Sequence, residues 1–347
     1  MKAYVLHGVN DLRFEDVAKP EPEEDEVLVR VMAAGICGSD IPRIYKTGAH
    51  RHPLIPGHEF SGVVEQAGSE ENKKWLGKRV GVFPLIPCRE CSSCKKKQYE
   101  MCRQYGYLGS RQDGGFAEYV AVPAANLIAL PETVSFEEAA MLEPLAVAVH
   151  AMRRVVLHDG DTVAVCGLGT IGRLLTMALH ASGVKRLLLI GNKDSQRRFA
   201  EGFENAAFCD ARTEDPQAWL ARESKGQGID IFFECVGRNE TVELGVSCAA
   251  PSGRVVFVGN PASDMTLKKD VYWQILRRQL TVTGTWNSSF TGEDGDDWHE
   301  VLRLLKARAI SPAEIISHRL SLEDLEKGLR IMRDKTEDFC KIMAVTE

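Results

Sequence analysis

The sequence predicts an α/β protein of two domains, one strand-rich and barrel-like, the other a doubly wound parallel sheet. Three observations carry this. Cys88, Cys91, Cys94 and Cys102 stand at the spacing C-x2-C-x2-C-x7-C in a lysine-rich loop. Gly167-Leu168-Gly169-Thr170-Ile171-Gly172 joins an apolar strand-like run to a helix-like run. Near residue 150 the pattern changes from short alternating segments to continuous apolar strands separated by helical stretches, the mark of a parallel sheet covered on both faces.

Element by element, the chain begins as a strand at Met1–Leu6. Glu26–Val31, Gly62–Glu65, Arg79–Phe83 and Phe116–Val122 follow, the last after the turn Asp113-Gly114-Gly115. Short strands with frequent turn signals argue for a barrel-like domain with long loops. Thr162–Cys166, Arg186–Ile190, Ala206–Cys209, Gly228–Cys235 and Arg254–Gly259 read as buried parallel strands, with a helix from the glycine loop to about Ser182. Beyond Trp286, Asp297–Ala307 is an amphipathic helix and Leu322–Met332 another, with Ser321 as N-cap and Asp324 in its first turn. This tail can return to the first domain, and the polar loop Gly292–Asp297 is the most mobile-looking stretch.

Composition narrows the class. A chain of 347 residues, 44% hydrophobic and 27% charged, suits a soluble two-domain enzyme. Its net charge of −6 gives no general attraction to nucleic acid or to an anionic membrane. The run Lys95-Lys96-Lys97 reads as a solvated face that offsets a tetrathiolate centre. No apolar run reaches the length of about 18 residues that a membrane helix needs. The N-terminus has no signal-peptide core. Of ten cysteines, Cys166, Cys209, Cys235, Cys248 and Cys340 sit in apolar or scattered contexts, where thiols act as small hydrophobes. A reducing cytoplasm is expected.

The cysteine loop offers four thiolates within a short stretch, a closed cage for a structural Zn²⁺. In the glycine loop, Gly167 permits the tight turn, Gly169 lets the backbone approach a pyrophosphate, and Gly172 lets the helix pack on the sheet. The helix start at Thr170 and Ile171 then presents free N–H groups to phosphate. An acidic residue for the ribose of NAD is expected about 20 residues on, at the second strand tip. Gly191-Asn192-Lys193 stands there instead, with Arg197 and Arg198 close by, which favours the 2′-phosphate of NADP. The competing reading gives the acidic role to Asp194 from a shifted loop.

A second metal set is expected at Cys37, in Gly35-Ile36-Cys37-Gly38-Ser39-Asp40, with His58 and Glu59, in Gly57-His58-Glu59-Phe60-Ser61-Gly62. Glu143, in Met141-Leu142-Glu143-Pro144, is a candidate further ligand. Alone, a buried cysteine or a capping glutamate is the ordinary reading of each. Together, thiolate, imidazole and carboxylate are a Zn²⁺ set of the catalytic kind.

These motifs resemble the zinc-dependent medium-chain dehydrogenase/reductase family over essentially the whole chain. Glu143 in place of a third soft ligand resembles its polyol dehydrogenase branch. The stretches Pro42–His50 and Gly109–Tyr119 are similar to polyol-phosphate members. The resemblance implies a GroES-like β-barrel catalytic domain, residues 1–148 and 288–347, split by a Rossmann NAD(P)-binding domain, residues 149–287. It also implies two Zn²⁺ per subunit, a homodimer or homotetramer, and hydride transfer between a secondary alcohol and nicotinamide. Cys37 and His58 would be lasting ligands, Glu59 a ligand or exchange ligand, and Glu143 a ligand or the contact of a bound water. Ser39 would pass the alcohol proton outward. The histidine that often ends this relay is replaced by Pro42.

Arg43, Lys46, His50 and Arg111 are cationic groups suited to a substrate phosphate, each readable singly as a surface or inter-subunit ion pair. The expected substrate is a sugar-alcohol phosphate. The alternatives are an unphosphorylated polyol such as sorbitol or L-iditol, and, in a different class, a non-catalytic nucleotide-binding redox sensor. A zinc-ribbon nucleic-acid binder is disfavoured by the charge.

Overall fold

The computed structural model describes residues 1–261 and 263–346. The chain divides into two units, Met1–Ala146 with Ser288–Glu347, and Val147–Asn287. In the first unit the strands are β1 (Lys2–Gly8), β2 (Asp11–Asp16), β3 (Glu26–Gly35), β4 (Glu59–Ala67), β5 (Arg79–Val82), β6 (Leu85–Ile86), β7 (Gly106–Tyr107), β8 (Tyr119–Pro123) and β9 (Leu127–Ala129). The second unit holds β10 (Thr162–Cys166), β11 (Arg186–Gly191), β12 (Ala206–Asp210), β13 (Ile229–Glu234), β14 (Ala249–Phe257) and β15 (Thr281–Gly284). The chain then returns to the first unit with β16 (Ile316–Leu320) and β17 (Lys341–Val345).

The ten-residue β3 is the spine of the first unit. Antiparallel β4 covers one edge, while β8 pairs with its first half and β17 with its last residues. Two irregularities in the β3–β4 register interrupt the ladder, and a bulge of this kind bends a strand. Side chains alternate across a strand. Phe60 and Ile342 therefore enter the core with Ile36, Ile44, Leu325 and Leu329, and their neighbours Glu59 and Lys341 turn the other way. This alternation takes two charged residues into a fully buried place beside the core.

In the second unit six parallel strands run in the order β12-β11-β10-β13-β14-β15. The chain moves outward from β10 in one direction and then restarts beside it at β13. A ligand crevice opens at such a switch point, outside the carboxyl ends of the strands. The glycine loop leaves β10 there.

Two local expectations are corrected. The helix expected at Leu322 begins at Leu325, with Asp324 as its N-cap position. Ser321 instead closes a turn, accepting from the Asp324 N–H at 3.2 Å. β14 starts at Ala249, five residues before the expected Arg254. The shift in its pairing with β13 and the positive φ of Ser252 conceal this start from a periodic pattern. Within the loop 292–297 one carboxylate makes most of the bonds. Asp296 accepts from the N–H groups of Thr291 and Gly292, and its other oxygen caps the helix Asp297–Lys306. Among the described residues no helix is long and apolar enough to cross a membrane.

Candidate functional site

The antiparallel register sets Gly35 of β3 opposite Glu59 of β4. Cys37 follows the end of β3, and His58 immediately precedes β4. Their donor atoms, with that of Glu59, lie within 4.8 Å of one another. Gly35 makes this possible, because a Cβ there would come 2.5 Å from Glu59 Oε2. His58 and Glu59 are buried.

Asp40 organises the set. It is fully buried and accepts from the Cys37 N–H at 3.0 Å and from Arg43. His58 Nδ1 lies 3.5 Å from Asp40 Oδ1, a charge contact too long for a formed hydrogen bond. Burial alone would raise the pKa of Asp40, but the charges of His58 and Arg43 hold it low. Burial works against a charged His58, yet Asp40 and Cys37 raise its pKa well above the ordinary value. The donor chemistry and the spacing of Cys37, His58 and Glu59 fit Zn²⁺.

Glu143 does not join the three donors. It lies at the start of the helix Leu142–Met152, and Tyr107 donates to its carboxylate at 3.2 Å. Burial pushes its carboxyl up to about 7 against the pull of His58. Ser39 donates to Cys37 Sγ at 3.3 Å. Sequence reasoning missed three participants: Lys341, which donates to Glu59, Asp40, and Tyr107. Only Asp40 left a sequence signal, its position inside the Cys37 motif.

The four cage thiols also gather within 4.8 Å of one another. Cys88 Sγ and Cys94 Sγ are 3.9 Å apart, close to the edge of about 3.8 Å that a tetrahedron with Zn–S bonds of about 2.3 Å requires. The backbone N–H groups of Arg103 and Cys94 bring Cys91 down to about 6, while burial and neighbouring thiols push Cys94 up to about 12. Lys97 pairs with Glu293, whereas Lys95 and Lys96 face solvent.

In the second unit, Gly167 has φ +95°, and a Cβ on Gly172 would stand 1.9 Å from the Gly167 carbonyl oxygen. Gly169, the N-cap of the helix Thr170–Ala181, is exposed and would meet nothing within 4 Å. The loop is therefore closed beneath and open above, as a cradle for pyrophosphate must be. Gly191 ends β11 with no side chain, and its packing against Gln196 and Phe208 admits none. The neighbouring tip of β12 carries Asp210, directly paired with Gly191. Asp210 is already engaged by Arg212 at 2.6 Å and Arg197 at 3.3 Å, and chiefly Arg212 holds its carboxyl well below the usual range. Asn192 donates its N–H to Gln196, and Lys193 stands at the N-cap position of the helix Asp194–Ala200.

The expected phosphate residues are placed unequally. Arg43 is committed to Asp40. The Arg111 guanidinium lies 4.7 Å from the Tyr105 ring centre, and its buried Nε has no hydrogen-bond partner. Partial desolvation and then the charges of Arg111 and Arg43 lower the pKa of the exposed His50, so the three side chains share one neighbourhood.

Comparison with known proteins agrees with this architecture. The alcohol dehydrogenase GroES-like domain model matches residues 23–132, and the zinc-binding dehydrogenase model matches residues 170–307. Galactitol 1-phosphate 5-dehydrogenase of Escherichia coli (strain K12) is 35% identical over 333 residues, 95% of this chain and 96% of its own. Sorbitol dehydrogenase of Bacillus subtilis (strain 168) is 29% identical over 349 residues, 99% and 96% of the two chains. A Sinorhizobium meliloti 1021 protein solved with NADP bound superposes with a TM-score of 0.91 at 30% identity, over 99% of each chain. Fold, site and likeness define a zinc-dependent, NAD(P)-dependent alcohol or polyol dehydrogenase. The chain belongs to the zinc-binding dehydrogenase family, with a GroES-like domain and a Rossmann nucleotide-binding domain.

Proposed function

We propose that this enzyme moves hydride between a secondary alcohol of a sugar-alcohol phosphate, of the galactitol 1-phosphate type, and NADP. Arg111 carries the reading. A guanidinium nitrogen buried without a partner, in the company of Arg43 and His50, suits an anionic group of the substrate. The likeness to a galactitol 1-phosphate dehydrogenase supports the same class. The preference for NADP rests on the bare Gly191 tip and on Asp210 being already neutralised. A relative by structure was solved with NADP.

Cys37, His58 and Glu59 would hold one zinc, and the four cage cysteines a second. When bound, the first zinc supplies Lewis acidity that eases loss of the proton from a substrate hydroxyl. The protein's own groups do the rest. Asp40 fixes His58 and the Cys37 backbone. Ser39, anchored on Cys37, hands the alcohol proton outward, and with Pro42 in place the relay ends in water. Glu143, aimed by Tyr107, contacts the water that precedes substrate. The nicotinamide, when bound, accepts the hydride, and the glycine loop holds its pyrophosphate.

The test is a matrix of galactitol 1-phosphate and sorbitol against NAD and NADP, repeated with Arg111→Ala. The phosphate ester with NADP should turn over best. Loss of Arg111 should raise its KM by about tenfold or more, equivalent to about 1.4 kcal/mol or more, with the free polyol unaffected. A wild-type enzyme that oxidises only the free polyol would sink this reading. The commitment of Arg43 to Asp40 favours that second reading, a sorbitol or iditol dehydrogenase.

The assembly we propose is a homodimer or a homotetramer in the cytoplasm. β15 closes the six-stranded sheet as an edge with neither charge nor proline to guard it. The preceding helix Lys269–Arg277 exposes about half of Tyr272, Trp273 and Leu276. A second copy of the chain is the occupant that would bury both. Light scattering should give two or four times the chain mass, and a monomer at micromolar concentration rejects the assembly. All ten cysteines are free thiols, which suits a reducing compartment.

A further inference from the structure

Arg173 is 7% exposed, in the first turn of the helix Thr170–Ala181 that follows the glycine loop. A guanidinium stays charged even when buried, and burying a charge is costly unless it is both paired and hydrogen-bonded. Arg173 has the hydrogen bonds and lacks the pair. Its Nε donates to the Leu168 carbonyl at 3.1 Å and its Nη2 to Ser195 Oγ at 3.1 Å, while the guanidinium carbon lies 5.2 Å from the Phe199 ring centre. Among the described residues no carboxylate forms an ion pair with it. The acids of the neighbouring segment are already engaged, Asp194 and Asp210 by Arg212, and Asp210 also by Arg197. Its bonds join the two loops that face a dinucleotide, since Leu168 belongs to the glycine loop and Ser195 follows the bare tip at Gly191. That connection does not call for a charge. Gln196, buried and neutral, already makes it, donating to the Leu168 carbonyl at 3.1 Å and accepting from the Asn192 N–H at 2.7 Å.

We infer that Arg173 is a positioning residue for the coenzyme, whose unpaired buried charge makes the segment 191–196 favour an adenosine ribose that carries a phosphate. This rests on the reading that the enzyme prefers NADP. A charge inside the protein acts further than one in water, because the medium around it polarises less and salt does not reach it. Arg197 and Arg198 are exposed, where salt screens them. Arg173 is held within the fold and keeps its field. A 2′-phosphate supplies the counter-charge that the protein withholds, and a 2′-hydroxyl does not. The bond to Ser195 fixes the segment, and the charge selects what the segment accepts.

The experiment measures equilibrium binding to the full-length, zinc-loaded protein, by nicotinamide fluorescence for NADPH and NADH and by calorimetry for 2′,5′-ADP and 5′-ADP. Wild type, Arg173→Met, Arg173→Gln and Arg173→Lys are compared. In Arg173→Met the Kd for NADPH should rise about tenfold, the order expected of one charge acting through protein over several ångströms. The Kd for NADH should stay within about twofold of its wild-type value, because its ribose brings no charge to lose. The two adenosine phosphates should divide in the same way. Arg173→Gln keeps a hydrogen bond without the charge and should behave as Arg173→Met, and it carries the same expectation if Arg173→Met does not fold. Arg173→Lys keeps the charge without the fork that reaches both Leu168 and Ser195, and should retain most of the preference for NADPH. Equal losses for NADPH and NADH in Arg173→Gln, or no loss for either, mark a purely structural residue and overturn the inference. Wild type that binds NADH more tightly than NADPH overturns instead the NADP reading on which it rests.

Discussion

Replacing Cys37 with Ser should abolish turnover while leaving the protein folded. The thiolate is one of three donors that lie within 4.8 Å of one another, and a hydroxyl is a far poorer Zn²⁺ ligand. The metal should leave, and with it the Lewis acid. A loss of at least about a thousandfold in kcat/KM is expected, equivalent to about 4 kcal/mol of transition-state stabilisation. Folding should persist because the core around Ile36, Phe60 and Ile342 and the cysteine cage do not use this sulfur. Metal analysis should fall from two zinc ions per chain to one, with dinucleotide affinity nearly unchanged. A Cys37→Ser protein that keeps both ions, or that turns over within tenfold of wild type, contradicts the site.

Two substitutions in the glycine loop should give opposite results in stability and the same result in binding. At Gly172 a Cβ would lie 1.9 Å from the Gly167 carbonyl oxygen, a distance no real packing allows. Gly172→Val must therefore push the helix Thr170–Ala181 off the loop or open the loop itself. Overpacking of this kind costs about 1–3 kcal/mol or more, so the melting temperature should drop by several degrees. Gly169 is the contrast, because a Cβ there meets nothing within 4 Å. Gly169→Ala should melt like wild type. Both variants should bind NADPH at least about tenfold more weakly, the first through a displaced helix end and the second by filling the space above the loop. Fluorescence titration and thermal melting read the two effects separately. Wild-type NADPH affinity in Gly169→Ala would show that the pyrophosphate does not rest on this loop.

These predictions differ in how early they could be made. The cage and the glycine loop are contiguous motifs, and their geometry follows from spacing. Thr162–Cys166 was read with its true ends because an apolar run bounded by a polar residue and glycine leaves no choice of strand. The start of β14 was misplaced where its register with β13 shifts and Ser252 takes a positive φ, and the helix at Leu325 where Ser321 closes a turn; periodicity registers neither. The donors Cys37, His58 and Glu59 were legible from residue type. Glu143 was read as a ligand or the contact of a bound water, and the hydrogen bond it accepts from Tyr107, 36 residues away in sequence, left no local signal.

The sequence by itself determined which atoms this protein can offer: four thiols in one loop, a thiol, an imidazole and a carboxylate in two short motifs, and a glycine turn for phosphate. Only the tertiary structure decided the charges around them. Lys341 reaches Glu59 across 282 residues, Arg43 is spent on Asp40 while Arg111 keeps an unpaired nitrogen, and Asp210 arrives beside Gly191 from another strand. The reason is geometric. A local pattern fixes which face of a strand a side chain takes, but its partner depends on strand order and register, set by the packing of the whole sheet.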